Sequence, residues 1–458
     1  MRRESDFLGE VDVPANAYYG AQTRRAVRNF PISGLRQAPA FTRAMALLKK
    51  AAALVHGKLG ALEARVADAI ARAADEVIEG RRDDQFVVDV FQAGAGTSAH
   101  MNMNEVLANR ASELLGGRRG EYALAHPNDH VNMGQSTNDV FPTSMRVAAL
   151  LELPNLLEAL GGLAGALADK AGEFAEIAKS GRTHLQDAVP LTLGQEFGAY
   201  AEAVRRAAAH IGQQSEPLRE LGIGGSAVGS GLNTLPGYRA KVVERLADLT
   251  GLRLVAAPNR FEAMQSMGPF ARMSGALRAG AVELGRISND LRLLSSGPTT
   301  GLGEIRLPAV QPGSSIMPGK VNPVVAECMN MICFQVVGND ACISAAAGAG
   351  QLELNVMMPV IGHNLLWSMQ ILTNGARMLA ERCVADIEAD ADRCAAYLAG
   401  TVGLATVLNP VIGYHRAAEV ARKATETGKT IRQVVLEDGI MSEKELDKLL
   451  SRALRHGG

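Results

Sequence analysis

Aromatic side chains are scarce in this 458-residue chain: Phe, Tyr and Trp together make up 4%, with one tryptophan, Trp367. A core so short of rings has to be filled by Ala, Leu, Val, Met and Ile, and Ala and Leu favour closely packed helices. Excess charge is also missing, since 47 Lys and Arg stand against 48 Asp and Glu for a formal net charge of −1. That balance argues against nucleic-acid or polybasic membrane-surface binding. The opening Met1-Arg2-Arg3-Glu4-Ser5-Asp6 lacks the apolar stretch of a secretory signal, so export is not expected. The five cysteines, Cys328, Cys333, Cys342, Cys383 and Cys394, form no CxxC. An odd number spread over helical segments suits reduced thiols packed as small hydrophobes, and with them a cytoplasmic location. The uncharged run Leu354–Ala376 is long enough to cross a bilayer, but Asn355, His363, Asn364, Gln370 and Asn374 mark it as a soluble helix, and no membrane partner is expected.

What is present is globular: 47% hydrophobic and 21% charged residues exclude a disordered or collagen-like chain. Residues 1–142 read as an N-terminal domain, weakly stranded over Phe7–Pro14 and helical in texture from about Ala40. Residues 143–398 carry five long apolar-periodic stretches, near 143–178, 189–219, 257–296, 322–348 and 359–398, separated by loops rich in Gly, Ser, Pro or Thr. At about 1.5 Å per residue the longer ones reach roughly 45–60 Å. Helices of that length with Ala and Gly on several faces cannot all hide their apolar surface in one small monomer, which points to a long bundle that oligomerises. Residues 399–458 form a small C-terminal domain, broken at Asn409-Pro410, with helical pieces over Tyr414–Thr427 and Ser442–Leu450. Ser442 and Glu445 there have capping-box spacing. The expected fold class is therefore mainly all-α, a long central helical bundle with smaller terminal domains.

Several familiar motifs nearly match and fail. Gly94-Ala95-Gly96-Thr97-Ser98-Ala99 fits a relaxed GxGxxG/A pattern, but no alternation of strands and helices follows it. Gly428-Lys429-Thr430 ends like a phosphate loop, yet Lys423 stands where the first glycine is required. His100, His126, His130 and His184 invite a metal assignment, and His126 and His130 have HxxxH spacing. Pro127-Asn128-Asp129 between them reads as a turn, so the two rings need not share a helix face. Neither a metal nor a cofactor is expected.

Four loops are built from hydroxyls, amides and a few cations. They are Gly96-Thr97-Ser98, Asn132–Asn138, Gly181–Asp187 and Gly313–Pro323. Singly, each would serve as a cap or turn. Together, each just before a helical stretch, they suit an anion site, because helix N-termini present free N–H groups and the positive end of the dipole. In the last loop Gly313 and Gly319 bracket a flexible segment, and Lys320 and Asn322 precede Pro323 in the first turn of the next helix, as in a lid that closes over a small anion.

Gly313-Ser314-Ser315-Ile316-Met317-Pro318-Gly319-Lys320-Val321-Asn322-Pro323 resembles the signature of the aspartase/fumarase superfamily, whose members eliminate a group from a succinate-type skeleton to give fumarate. The resemblance extends through Ser136-Thr137-Asn138, Thr183-His184 and Asn16–Gln22, most of the chain. It implies a central helical bundle, a homotetramer and active sites assembled from three subunits. The wording of Gly94–Ser98, Ser136–Asn138 and Leu185–Pro190 is similar to the ammonia-eliminating branch, which deaminates L-aspartate reversibly. The alternative is the water-eliminating branch, class II fumarase, which interconverts malate and fumarate. His126-Pro127-Asn128-Asp129 is fumarase-like, Met133 stands where many members have lysine, and Ser226 and Ser230 stand where threonines are usual. A non-catalytic structural protein derived from such a lyase would keep the bundle and lose the loops; intact Ser314, Lys320, Asn322 and His184 speak against it.

The resemblance also implies roles. Ser314 would take the C3 proton beside a carboxylate. Ser136, Thr137, Thr183, Lys320 and Asn322 would grip the substrate carboxylates, including the one that becomes a doubly charged aci-carboxylate. Thr97, Asn138 and His184 would surround the leaving amino group. In a fumarase-like member His184 would instead pair with Glu327 to handle water.

Overall fold

The most continuous apolar stretch, Thr137–Glu173, winds into one helix of 37 residues in the computed structural model, which describes residues 1–455. At 1.5 Å per residue it is about 55 Å long. Four more long helices follow: Leu193–Ser215, Gly268–Leu294, Val324–Gly348 and Met358–Arg382. These are the five stretches that hydrophobic periodicity picks out, and their boundaries move for local reasons. The helix at 193 starts four residues later than expected because Pro190 lies in a strand, and Thr192 and Gln195 then form a reciprocal cap at 3.0 and 3.1 Å. The stretch from 257 opens with a short helix, Arg260–Gln265, capped by Asn259, before the long helix starts at Gly268 with Pro269 in its first turn. The last stretch breaks after Arg382 into a 3-10 turn, a two-residue strand and the Ala391–Gly400 helix.

Strands are few among the described residues and occur in two-stranded pairs. The expected N-terminal strand is a hairpin, Arg2–Asp6 with Gly9–Val13, in antiparallel register Arg2↔Val13 to Asp6↔Gly9. A second hairpin, Ala178–Thr183 with Gln186–Thr192, replaces what reads in the sequence as loop and helix start.

The chain divides into two compact units, and each long helix contributes a part to both. The first comprises Met1–Leu157, Ala209–Ala279 and Phe334–Leu372. In it the Pro39–Lys58 helix packs on Ala64–Ile78 and Tyr238–Thr250, and Phe41 meets Phe141 with ring centroids 4.7 Å apart. Asp340 accepts from Ser274 and Arg278, joining two long helices. The second unit comprises Glu158–Ala208, Gly280–Cys333 and the chain from Thr373 onward. Its C-terminal helices share a core of Leu404, Leu408, Val420, Ile431, Val434 and Leu446. There the expected cap forms: Ser442 N–H and Oγ donate to Glu445 at 2.8 and 2.6 Å.

By length and composition the helices Thr137–Glu173 and Val324–Gly348 are apolar enough to cross a membrane; Met358–Arg382, which holds most of the uncharged run, is not. Cys333, Cys383 and Cys394 are buried as expected of small hydrophobes, whereas Cys328 and Cys342 are exposed, and all five are free.

Candidate active site

In the first unit two helix N-termini bring their hydroxyls together. Thr97 opens the Thr97–Leu114 helix after Gly96, whose φ of +96° is left-handed and where a Cβ would overlap the Phe141 ring. Ser136 and Thr137 open the 37-residue helix. Thr97 Oγ1 lies 3.2 Å from Thr137 Oγ1 and donates to the Gly94 carbonyl at 2.5 Å. Ser136 Oγ accepts from Asn138 N–H at 3.2 Å, and the Asn138 amide donates to the Ala227 carbonyl at 2.8 Å. Thr97, Ser136, Thr137 and Asn138 are thus one cluster at the positive ends of two helix dipoles.

That cluster is held by Asp139 and Lys49, to which none of the motifs singled out in the sequence points, and by His100, which the sequence offers only as a metal candidate. Asp139 is fully buried, accepts from Ser136 N–H at 2.9 Å, and ties the 224–226 turn by accepting from Gly224 and Ser226 at 3.0 and 2.9 Å. Burial pushes its carboxyl up to about 6 against the pull of those donors. Behind Thr137 stands His100, with Nδ1 2.7 Å from the threonine oxygen, and behind His100 the buried Lys49. The Ser-x-x-Asp spacing of Ser136 and Asp139 carries a capping signal; Lys49 carries none, because a lysine set among alanines reads as a solvated face.

In the second unit the site residues lie on a hairpin tip and a loop. Thr183 pairs with Gln186 across His184 and Leu185, both at positive φ (+56° and +59°), the geometry of a tight two-residue turn that leaves the Thr183 and His184 side chains exposed. Below the tip, fully buried Glu304 accepts from Arg182 at 2.9 and 3.0 Å and pairs with Lys179 at 2.8 Å; Lys179 also binds Glu196 at 2.6 Å.

The 313–323 loop is closed at its neck. Gly313 N–H donates to the Lys320 carbonyl at 2.9 Å, and the Asn322 amide donates to the Gly313 carbonyl at 2.6 Å. A Cβ at Gly313 would overlap the Lys320 carbonyl, so the position requires glycine. Within the loop Ser314 Oγ accepts from Ile316 and Met317 N–H at 3.2 and 2.9 Å, while the Lys320 side chain is exposed. Residues 309–314 and 317–321 wall a cavity of about 530 Å³. Asn322 therefore shapes the loop. The hairpin residues Thr183 and His184 share no hydrogen bond with this loop among the described residues.

His126 and His130 do not form a metal pair: His130 Nδ1 accepts from His126 N–H at 2.8 Å, and His126 Nδ1 accepts from Asn128 and Asp129. Among the described residues no cluster of His, Cys, Asp and Glu is arranged to hold a metal ion.

This combination, long helices with hydroxyl-bearing N-termini and a serine-centred glycine loop, is that of a lyase. Residues 9–338 match the family described as Lyase, and residues 404–453 match Fumarase C C-terminus. The chain belongs to this lyase family, within the aspartase/fumarase superfamily. Among its relatives, aspartate ammonia-lyase of Bacillus subtilis is 48% identical, covering 98% of this chain and 95% of that one. Aspartate ammonia-lyase of Escherichia coli K12 is also 48% identical, over 98% and 95%. In structure the chain is similar to the fumarate lyase:delta crystallin from Brucella melitensis bound to cobalt, with a TM-score of 0.96, 50% identity and coverage of 99% and 98%. It is also similar to class II fumarase from Schistosoma mansoni, with a TM-score of 0.95, 38% identity and full coverage of both chains.

Proposed function

We propose that this enzyme is an aspartate ammonia-lyase, converting L-aspartate reversibly to fumarate and ammonia. The observation that carries the reading is the near-full-length identity of 46–48% to aspartate ammonia-lyases of several bacteria. The chemical difficulty is a proton removed beside a carboxylate, which leaves two negative charges on one group. Donors aimed at such developing charge are worth about 2.7–4 kcal/mol each where they have been removed singly. Ser314 takes the C3 proton on Oγ. The Ile316 and Met317 N–H groups already directed at that oxygen support the reading, because they favour its alkoxide. Ser136, Thr137, Thr183 and Lys320 hold the carboxylates, with Asn322 fixing the loop that carries Lys320. The C–N electron pair then leaves with nitrogen, and Thr97, Asn138 and His184 surround the departing ammonia.

The partner is a small dicarboxylate and, in the same proposal, three further copies of the chain. Met331, Phe334 and Val337 lie three residues apart on the Val324–Gly348 helix and are 67, 69 and 39% exposed, an apolar face that supports assembly into a homotetramer with shared sites. The free thiols support a reducing, cytoplasmic setting. Class II fumarase is the second reading, supported by the match of residues 404–453 and by the Schistosoma mansoni structure. Purified protein is offered L-aspartate or malate while fumarate is followed by its ultraviolet absorbance. Fumarate from aspartate is the expected result; fumarate from malate alone would transfer the assignment to the second reading.

A further inference from the structure

A buried lysine stands directly behind the carboxylate-binding hydroxyls. Lys49 is fully buried, and its ammonium nitrogen has three neighbours: His100 Nε2 at 2.7 Å, Asn132 Oδ1 at 2.9 Å and Gln135 Oε1 at 3.0 Å. The two amides are oriented by their other ends. Asn132 donates to the Gln135 carbonyl, and Gln135 donates to the Val131 and Met133 carbonyls, each at 3.2 Å. Their oxygens are therefore turned to Lys49 and consume two of its hydrogens. The third contact decides the tautomer of His100. An ammonium donates its remaining hydrogen to Nε2, which places the ring hydrogen on Nδ1, and Nδ1–H then donates to Thr137 Oγ1 at 2.7 Å.

We propose that Lys49 is a positioning residue which, through His100, sets the direction of the Thr137 hydroxyl and so its capacity to donate to a substrate carboxylate. With Thr137 accepting from His100, and Thr97 giving its own hydrogen to the Gly94 carbonyl, the Thr137 hydrogen points outward, where an anion competes for it with the neutral Thr97 oxygen 3.2 Å away. With Lys49 as the neutral amine the pattern reverses: the lone pair takes Nε2–H, Nδ1 is bare, and Thr137 turns its hydrogen inward. The inference rests on the proposed dicarboxylate site, because only an anionic ligand rewards the outward hydroxyl.

The surroundings balance the two forms. Burial holds Lys49 well below the usual lysine range, opposed by the buried Asp139 carboxylate. Burial and then Lys49 hold His100 well below the usual histidine range. The other titratable groups facing this pocket are His56, which burial and Lys49 depress, and the buried Tyr238 stacked on it at 4.4 Å. A bound dianion adds negative charge beyond Thr137 and favours the ammonium form.

The test uses succinate, an unreactive four-carbon dicarboxylate, as an inhibitor of the full-length enzyme. Lys49→Met and Thr137→Val should each weaken its inhibition constant about 10- to 100-fold, the range of a hydrogen bond to a charged group. The double variant should be no weaker than the poorer single one, since both remove the same hydrogen bond; multiplied losses would overturn the proposal. Because Lys49→Met strands two buried amide oxygens and risks the fold, His100 supplies a second pair. His100→Asn keeps a donor where Nδ1 stood and should bind within about threefold of wild type, whereas His100→Gln loses it and should match Thr137→Val; equal loss in both would overturn the proposal. A wild-type protein that neither binds succinate nor forms fumarate from aspartate would sink the functional reading and this inference with it, whereas normal wild-type binding with multiplied losses sinks this inference alone.

Discussion

At the scale of single residues, position in a loop separates chemistry from folding. Ser314 fills no core, and its oxygen is committed to two backbone donors. Ser314→Ala should therefore lower kcat by at least about a thousandfold while the melting temperature stays within about 2 °C of wild type, read from fumarate formation and calorimetry. Lys320 contributes a carbonyl to the neck of the loop and leaves its side chain exposed. Lys320→Ala should raise the KM for aspartate about tenfold or more, and an unchanged KM would remove Lys320 from the carboxylate clamp. His56 makes a pH prediction. Burial depresses its pKa from 6.5 to about 4, so the native state holds the neutral ring where the unfolded chain takes up a proton. The unfolded state binds more protons between pH 6.5 and 4, so stability from this group is complete above 6.5 and falls as pH drops through that window, by at most about 3 kcal/mol. His56→Phe, which preserves stacking on Tyr238, should lack this loss, seen as a melting-temperature difference from wild type that grows from pH 6.5 to 4.

At the scale of elements, the hairpin that carries Thr183 and His184 depends on charges well below its tip. Glu304 is fully buried between Arg182 and Lys179. Removing its charge leaves the part-buried Arg182 without its carboxylate and the buried Lys179 with Glu196 alone, and breaking a buried pair costs about 3–5 kcal/mol. Glu304→Gln should lower the denaturation midpoint accordingly, and a midpoint unchanged within error would show that Glu196 alone satisfies Lys179. The five long helices were legible in the sequence because apolar residues recur at three and four positions over many turns, a signal that accumulates with length. The hairpin was not. Its strands are short, Ser180 and Arg182 flank a register shift, and Gly181 and Pro190 read as breakers. Only antiparallel pairing with a partner several residues away makes those residues strand.

At the scale of the whole molecule, the exposed stripe of Met331, Phe334 and Val337 lies on a helix apolar enough for a membrane yet carrying Glu327 and Asp340. If the proposed tetramer forms, this stripe is what further copies of the chain would cover, which makes Phe334 a test of assembly. Phe334→Glu would put a charge into a dry contact, and light scattering should then report species well below four times the 48.3 kDa chain mass. Activity should fall with assembly, since the proposed sites draw on more than one subunit.

The sequence by itself determined the helical class, the five long helices and three of the four hydroxyl-rich loops, because each of these is written in neighbouring residues: periodicity for the helices, glycine, serine and asparagine for the loops. Tertiary structure alone decided the hairpin, the Asp139 tie to the 224–226 turn and the array in which Lys49 reaches Thr137 through His100. Those depend on groups far apart in the chain, and a buried lysine is stable only where distant acceptors satisfy its hydrogens, so no local pattern announces it.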